Sequence, residues 1–222
     1  MSEMKPSASV SVDDVCAALI GDLVDSRKAP DRQHLHRDLV AALARVQSVE
    51  AALEAPQIMG GDEFQASYAT VGAALHAAFL LRLELLPVAE LRFGIGWGRV
   101  TMLDPERGVH DGPAWWSARA AIDQSKHLET QAPLRLVRTS YRSDDESGPS
   151  PEAVNAALTC RDHLLGSLDE RSLRILGGLV SGRSKVDIAA SEGISPSAVS
   201  QRSVRGGLDV ILTASADLRL VR

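Results

Sequence analysis

The sequence predicts an α+β sandwich, with helices packed on one sheet, followed by a small all-α unit. Strand-type and helix-type apolar patterns alternate up to residue 142. Residues 143–151 are then polar and acidic and are broken by glycine and proline, which is typical of a linker. Beyond them only helical patterns occur. We therefore divide the chain into a disordered leader (1–14), the sandwich (15–142), a linker (143–153) and a helical unit (154–222).

Composition and charge are those of an ordinary globular protein. The 222 residues are 45% apolar and 24% charged, with a net charge of −5. This charge argues against a protein that coats nucleic acid all over, but it permits a local DNA-reading surface. The two cysteines, Cys16 and Cys160, predict neither a disulfide framework nor a cysteine zinc cluster. With no apolar run of membrane length and no signal-peptide core, we expect a cytoplasmic protein without a membrane partner.

The first half of the sandwich contains a strand, a helix and a hairpin. Val15 to Val24 is apolar apart from Asp22 and is short, which predicts a buried strand. Apolar residues at spacings of three and four then predict a helix over 31–53. Gly60 and Gly61 predict a tight hairpin between strands near 55–59 and 63–68, with Asp62 at its tip.

The second half has one unusual strand. From Leu91 to Trp97, bulky apolar residues alternate with Arg92 and glycines, so one face is nearly bare and lets a helix or ligand approach the backbone. A helix over Leu75 to Leu86 precedes it. A helix over 114–128 and a strand near 133–139 are predicted after it.

Asp22 and Asp62 form the first functional hypothesis. If their strands are neighbours, the two carboxylates face each other, and they repel unless a proton or metal ion lies between them. Other interpretations stay open. Asp22 could cap the next helix, Asp62 could be a turn residue, and Glu63 would point to the opposite face, solvated or ion-paired. Arg119 could simply pair with Asp22 or Asp111.

The helical unit contains a candidate helix-turn-helix, with helices near 169–180, 184–191 and 196–208. Ala189, Gly193 and Val199 supply a small contact residue, a turn glycine and an apolar plug. Ser195 and Pro196 suit a capped helix start. A helical bundle used for dimerisation is the alternative. The candidate DNA-contacting residues carry hydroxyl, amide or guanidinium groups: Ser195, Ser197, Ser200, Gln201, Arg202 and Arg205.

Residues 182–189 and 193–202 resemble the helix-turn-helix of sigma-factor region 4 and related bacterial regulators. Readers of this type are usually two-fold symmetric, because one helix contacts few bases. We therefore expect a homodimer that binds DNA. Four apolar residues that follow could form its dimer helix: Leu208, Ile211, Leu212 and Leu218.

Four segments of the sandwich carry a second resemblance: 20–27 (IGDLVDSR), 60–64 (GGDEF), 91–98 (LRFGIGWG), and Gly112 with 117–121. In this order they resemble the palm-type catalytic core of class III nucleotide cyclases, a fold related to the GGDEF diguanylate cyclases. The whole chain, over about residues 15–205, resembles the SatD family of small bacterial proteins, in which such a domain often precedes a helix-turn-helix. The resemblance implies a ferredoxin-like palm α/β sandwich.

The cyclase resemblance also implies residue roles. Asp22 and Asp62 would hold two divalent ions, Mg²⁺ or Mn²⁺, which bridge to a nucleoside triphosphate and neutralise charge on phosphorus. Ser26 and Arg27, in the turn after the first strand, would bind phosphates. Arg119 would stabilise the transition state.

Two positions depart from the cyclase pattern. Trp115 stands where the cyclases have an asparagine, and Ile58 stands where adenylate cyclases have a base-reading lysine. A palm without base-reading residues could bind a nucleotide without cyclising it. The favoured hypothesis is therefore a DNA-binding transcriptional regulator with a sensory or dimerising palm. The alternatives are an active nucleotidyl cyclase or transferase, and an interaction module with a degenerate site.

Overall fold

The computed structural model describes residues 15–104 and 109–222 of the chain. The predicted leader, 1–14, lies outside the described residues. The elements in chain order are β1 (Val15–Leu23), α1 (Arg32–Val49), β2 (Glu54–Gly60), β3 (Glu63–Tyr68), α2 (Val71–Leu85), β4 (Leu91–Arg99), β5 (Thr101–Asp104), β6 (Val109–Asp111), α3 (Pro113–Glu129), β7 (Thr139–Ser143), α4 (Pro151–Gly166), α5 (Glu170–Val180), α6 (Lys185–Glu192), α7 (Pro196–Arg205) and α8 (Leu208–Arg219).

A five-stranded sheet in the order β2-β3-β1-β4-β7 forms the centre of the sandwich. The first four strands are antiparallel to their neighbours, and β7 runs parallel to β4. The order β1-α1-β2-β3-α2-β4 is a split βαβ arrangement of the ferredoxin-like type. The predicted fold class, a palm-type α+β sandwich followed by helices, is therefore confirmed.

The bare face of β4 is where α3 packs. A Cβ added at Gly94 would lie 2.2 Å from the carbonyl oxygen of Ala118, and one added at Gly96 would lie 2.1 Å from that of Ala114. Only glycine permits this approach, so the bare face contacts a helix. On the opposite face, the rings of Phe64 and Phe93 meet edge to face, 6.2 Å apart, in the core under α1 and α2.

The helices after β7 pack on the sandwich. α4 contacts β7, and α8 contacts α2 and α4. Leu208, Ile211 and Leu218 are buried in a core that also contains Leu75 and Phe93, and Leu212 packs against it. The expectation that these four residues form a dimer helix is therefore wrong, because the chain uses them in its own core.

One prediction differs from the structure at the last strand. The strand expected near 133–139 lies instead at Thr139–Ser143, because Ala132–Leu134 forms a 3₁₀ turn and buried Val137 lies in the loop that follows. The ribbon of β5 and β6 was not predicted. The predicted linker spans the turn between β7 and α4, where Trp97 Nε1 donates to Ser147 Oγ. The domain boundaries remain a prediction.

Among the described residues, no helix combines the length and apolar character needed to cross a bilayer.

Candidate functional site

The hairpin between β2 and β3 has the predicted form. Gly61 has φ +68°, which favours glycine, and β3 begins at Glu63. The register places Glu63, rather than Asp62, directly opposite Asp22. The expectation that Asp22 and Asp62 face each other is therefore wrong by one residue, because the turn occupies Gly61 and Asp62. Instead, Asp62 accepts a hydrogen bond from the buried Ser26 hydroxyl.

Asp22 is bound by two cations from the elements around it. Arg92 Nε, opposite it on β4, lies 3.0 Å from Oδ1, and Lys126 Nζ, on α3, lies 3.1 Å from Oδ2. Arg92 also donates to Glu129 Oε2 at 2.8 Å. The Asp22 side chain is 13% exposed and that of Arg92 16%. We call Asp22, Arg92, Lys126 and Glu129 the Asp22 cluster.

Arg119 pairs with Glu63 rather than with Asp22 or Asp111. Its Nη1 and Nη2 donate to the two carboxylate oxygens of Glu63 at 2.8 and 2.6 Å, which is a bidentate arrangement. This hydrogen bonding by Arg119 lowers the pKa of Glu63 below its usual value. Glu63 is thus ion-paired, as one of the sequence interpretations had it, but it lies on the same face of the sheet as Asp22 rather than on the opposite one.

The predicted phosphate-binding residues lie on a short 3₁₀ turn, Ser26–Lys28. The Ser26 hydroxyl donates a hydrogen bond to Asp62, while the Arg27 side chain is exposed. The next helix, α1, is capped by the carboxylate of Asp31, which accepts from the backbone N–H of His34. A phosphate at this helix start would meet that carboxylate, so the geometry adds no support for the phosphate prediction.

The contacts of Asp22 and Asp62 test the fit of the two divalent ions. Both oxygens of Asp22 already contact protein cations, and Asp62 is engaged by Ser26. In the described part of the chain, no group of three or more His, Cys, Asp or Glu side chains is placed to hold a metal ion. Because the protein's own cations neutralise Asp22, the residues as arranged do not fit a two-metal centre.

The Asp22 cluster continues as a row of ion pairs toward α4. Glu129 contacts Arg138 at 3.4 Å, and Arg138 contacts Glu90 at 3.3 Å. Glu90 in turn pairs with Arg82, which lies 3.4 Å from the fully buried Asp162 on α4. Although burial opposes the charged form, Arg161 and Arg82 hold the pKa of Asp162 below its usual value.

Helices α5, α6 and α7 form the predicted helix-turn-helix. Gly193 ends α6 with φ +65°, and Ala189 and Val199 are 2% and 0% exposed where α6 meets α7. The Ser195 hydroxyl caps α7 by accepting from the N–H of Ala198 at 3.2 Å. Gly178 lets α6 approach α5, since an added Cβ would meet Ile188 at 2.9 Å.

The outer surface of α7 carries four of the six candidate DNA-contacting residues in exposed positions. These are Ser195, Ser197, Gln201 and Arg205. Ser200 is half-buried. Arg202 instead binds α7 to the start of α5. Its Nη1 lies 2.8 Å from Asp169 Oδ2 and 3.1 Å from Ser172 Oγ. The hydrogen bond from Arg202 lowers the pKa of Asp169 to about 2.

Sequence reasoning missed several residues of these surfaces. Arg92, Lys126 and Glu129 were not singled out, although alternation along β4 puts Arg92 on the face that α3 covers. Only the register brings Arg92 opposite Asp22. On α7, Val204 was overlooked and is 74% exposed beside Arg205. The sequence did contain a signal for Val204, namely an apolar residue at the end of an otherwise polar helix face.

Comparison with known proteins gives one family and several distant structures. The model of the SatD family matches residues 16–218. A search of curated proteins finds no match. A bacterial light-regulated adenylyl cyclase is 19% identical, with a TM-score of 0.42, over 54% of this chain and 72% of that one.

Two further structures are similarly distant. An adenylate/guanylate cyclase/hydrolase from Silicibacter pomeroyi is 20% identical over 50% of this chain and 69% of its own, with a TM-score of 0.40. A regulator of polyketide synthase expression from Bifidobacterium adolescentis is 15% identical over 95% of this chain and 82% of its own, with a TM-score of 0.29. At these sequence identities and TM-scores, the role of each residue has to be argued from the contacts within this chain.

Proposed function

The chain belongs to the SatD family, and we propose that it is a DNA-binding transcriptional regulator whose palm-type sandwich serves as a sensory or dimerising part. The observation that carries the proposal is the surface of α7. This helix is capped at Ser195, held on a buried Val199, and presents Gln201 and Arg205 to solvent. Its sequence, Pro196–Arg205, contains no carboxylate to repel a phosphate backbone.

The side chains on α7 suit major-groove contacts. Gln201 can bond the edge of an adenine, and Arg205 can reach a guanine or a phosphate. Val204 can contact a thymine methyl group. Arg202 acts differently, because its pair with Asp169 fixes α7 against α5 and so sets the angle of the recognition helix. The proposal includes a homodimer, since one such helix contacts few base pairs.

A gel-shift experiment with the full-length protein tests this proposal. DNA duplexes from the region upstream of the protein's own gene and from a random library would first be selected for binding to the wild-type protein. The selected duplexes would then be titrated with the variant proteins. We expect Arg205→Ala and Gln201→Ala to weaken binding by about 5- to 100-fold.

The matched control for charge is Arg135→Ala, which removes an exposed arginine far along the chain from α7. It should bind like wild type. Absence of any enriched duplex would refute DNA binding, and equal affinities for wild type and both α7 variants would refute α7 as the recognition helix.

The alternative is nucleotidyl cyclisation or transfer that uses Asp22 and Asp62 with Mg²⁺ or Mn²⁺. It requires Arg92 and Lys126 to leave the oxygens that they contact at 3.0 and 3.1 Å. Incubation with each of four nucleoside triphosphates and Mn²⁺, followed by mass spectrometry, tests it. A product made by wild type but not by Asp62→Ala would establish this activity; no product would exclude it.

A further inference from the structure

A polar cleft lies beside α7, between the second half of this helix and the turn that joins α4 to α5. The cleft has a volume of about 540 Å³. Leu168 of the turn approaches the end of α7, since a Cβ added at Gly206 would lie 3.8 Å from its side chain. Three side chains of α7 line the cleft, namely Gln201, Arg202 and Arg205. The cleft is therefore continuous with the surface that is proposed to contact DNA.

Arg202 has donors left for a ligand in this cleft. The hydrogen bonds that it makes to the two oxygens of Asp169 and to Ser172 Oγ, at 2.8 to 3.1 Å, all come from Nη1. A guanidinium carries five N–H donors in a planar fork, so Nε and Nη2 keep theirs for another acceptor. The Arg202 side chain is 38% exposed. The pair with Asp169 thus fixes the guanidinium in place without occupying all of its donors.

Arg205 supplies a second guanidinium to the cleft. It follows Arg202 by three residues, so both side chains lie on one face of α7. Arg205 is exposed, and no carboxylate of the described residues pairs with it. Asp169, which also lines the cleft, already accepts from Arg202 and from the backbone N–H of Ser172. An anion in the cleft would therefore meet one free guanidinium and one that is half free.

The other carboxylates near the start of α5 and the end of α7 do not compete for Arg205. Asp209 lies in the first turn of α8, where the positive end of the helix stabilises it. The rest have arginine neighbours on α5 or α7: Asp169 with Arg202, Glu192 with Arg171 and Arg174, and Glu170, which also lies near Arg174.

The position of Arg205 along α7 favours the DNA backbone over the bases. A recognition helix contacts base edges mainly with its N-terminal residues. With a rise of about 1.5 Å per residue, Arg205 lies about 12 Å along the helix from Ser197, which is comparable to the width of about 12 Å of the major groove. Its guanidinium therefore reaches the phosphates that border the groove.

From these observations we infer that the cleft binds one phosphate of the DNA backbone, held between the free N–H groups of Arg202 and the guanidinium of Arg205. Phosphate oxygens suit the planar fork of arginine, and two such forks fix the phosphate in position. Of the two targets open to Arg205, a guanine or a phosphate, the cleft favours the phosphate, and Gln201 is left to contact bases. This phosphate site rests on the proposed function, because it lies within the same interface.

The salt dependence of binding distinguishes a phosphate contact from a base contact. The full-length protein would be titrated with its selected duplex and with a random duplex between about 50 and 200 mM salt. We expect Arg205→Ala to weaken both duplexes by the same factor and to reduce the slope of log affinity against log salt by about 1. Arg205→Lys, which keeps the charge, should keep the wild-type slope. Gln201→Ala should also keep the slope and should weaken only the selected duplex.

A neutral methylphosphonate, placed at one backbone position of the selected duplex at a time, locates the phosphate. At one position in each half-site it should weaken wild type by about tenfold but Arg205→Ala by less than about threefold, because both changes remove the same contact. Arg202→Ala should be coupled to the same position. Asp169→Asn is the matched control, since asparagine still caps α5 and Arg202 stays in place, and it should respond like wild type.

The results separate the phosphate site from the proposed function. If no duplex is bound, the proposed function fails and the phosphate site fails with it. If duplexes are bound but Arg205→Ala changes the preferred sequence and keeps the slope, or no backbone position is coupled to Arg205, only the phosphate site is overturned.

Discussion

At the scale of single residues, Asp22 is a carboxylate paired with two cationic side chains. It contacts Arg92 and Lys126, both of which reach it from neighbouring elements. A mostly buried carboxylate in this position stabilises the fold, whereas a metal-binding carboxylate without its ion is repelled by its neighbours. The sign of the stability change on removing its charge therefore distinguishes the two roles.

We expect Asp22→Asn to lower the free energy of unfolding by about 1–3 kcal/mol, because it leaves Arg92 and Lys126 less well paired. Urea denaturation measures this change. The matched control is Asp123→Asn, whose carboxylate is 62% exposed and 3.9 Å from Lys126; it should change stability by less than about 0.5 kcal/mol. A more stable Asp22→Asn protein would contradict a stabilising role of the Asp22 ion pairs and favour a metal site.

At the scale of elements, the contact between α3 and β4 positions much of the candidate site. Arg119, Lys126 and Glu129 all lie on α3, and their reach depends on how closely this helix approaches the sheet. The glycines of β4 set that distance. Moving α3 outward would therefore lengthen the contacts to Asp22 and Glu63 together.

We expect Gly96→Ala to destabilise the protein by at least about 2 kcal/mol, because its Cβ would lie 2.1 Å from a backbone oxygen of α3. Gly60→Ala is the comparison, since an added Cβ there meets no atom within 4 Å, and it should fall within about 0.5 kcal/mol of wild type. Thermal melts of both proteins supply the measurement. Equal losses in the two variants would show that the packing of α3 is not the cause.

At the scale of the whole molecule, the sandwich and the helical unit share one core and are linked by ion pairs such as that of Arg82 with Asp162. Glu50 at the end of α1 binds His76 of α2 at 2.7 Å and Arg219 of α8 at 3.0 Å. Burial lowers the pKa of His76, with partial opposition from its hydrogen bond to Glu50. The Glu50 carboxylate thus joins the first helix to α2, through the mostly buried His76, and to the last helix, through Arg219.

The mostly buried His76, paired with Glu50, predicts a loss of stability in mild acid. Because the folded pKa lies below the ordinary 6.5, the unfolded chain binds the proton first. Stability is then full above pH 6.5 and falls as the pH drops toward the folded pKa, by less than about 1.4 kcal/mol per pH unit.

Chemical denaturation between pH 7.5 and 5.5, above the ordinary range of carboxyl groups, measures this loss. His76→Gln should show a shallower pH dependence than wild type, while a variant of the exposed His127, His127→Gln, should keep the wild-type slope. A wild-type slope in His76→Gln would rule out this origin.

The local patterns that depend on neighbouring residues were predictable. The hairpin at Gly61, the bare face of β4 and the Gly193 turn before a capped α7 each follow from conformations that glycine permits or from short-range hydrogen bonds. The fold class followed from the alternation of these elements. The predicted element boundaries were wrong where a buried apolar residue lies in a loop, as Val137 does.

The sequence by itself determined most of the strands, helices and turns, apart from the β5–β6 ribbon and the position of β7, and which side chains are available for chemistry, because these depend on periodicity and local sterics. Only the tertiary structure decided what those side chains do. Strand register put Glu63 rather than Asp62 opposite Asp22, helix packing brought Lys126 and Arg119 to the two carboxylates, and α8 turned an expected dimer surface into core. These outcomes depend on contacts between residues far apart in the chain, which no local pattern encodes.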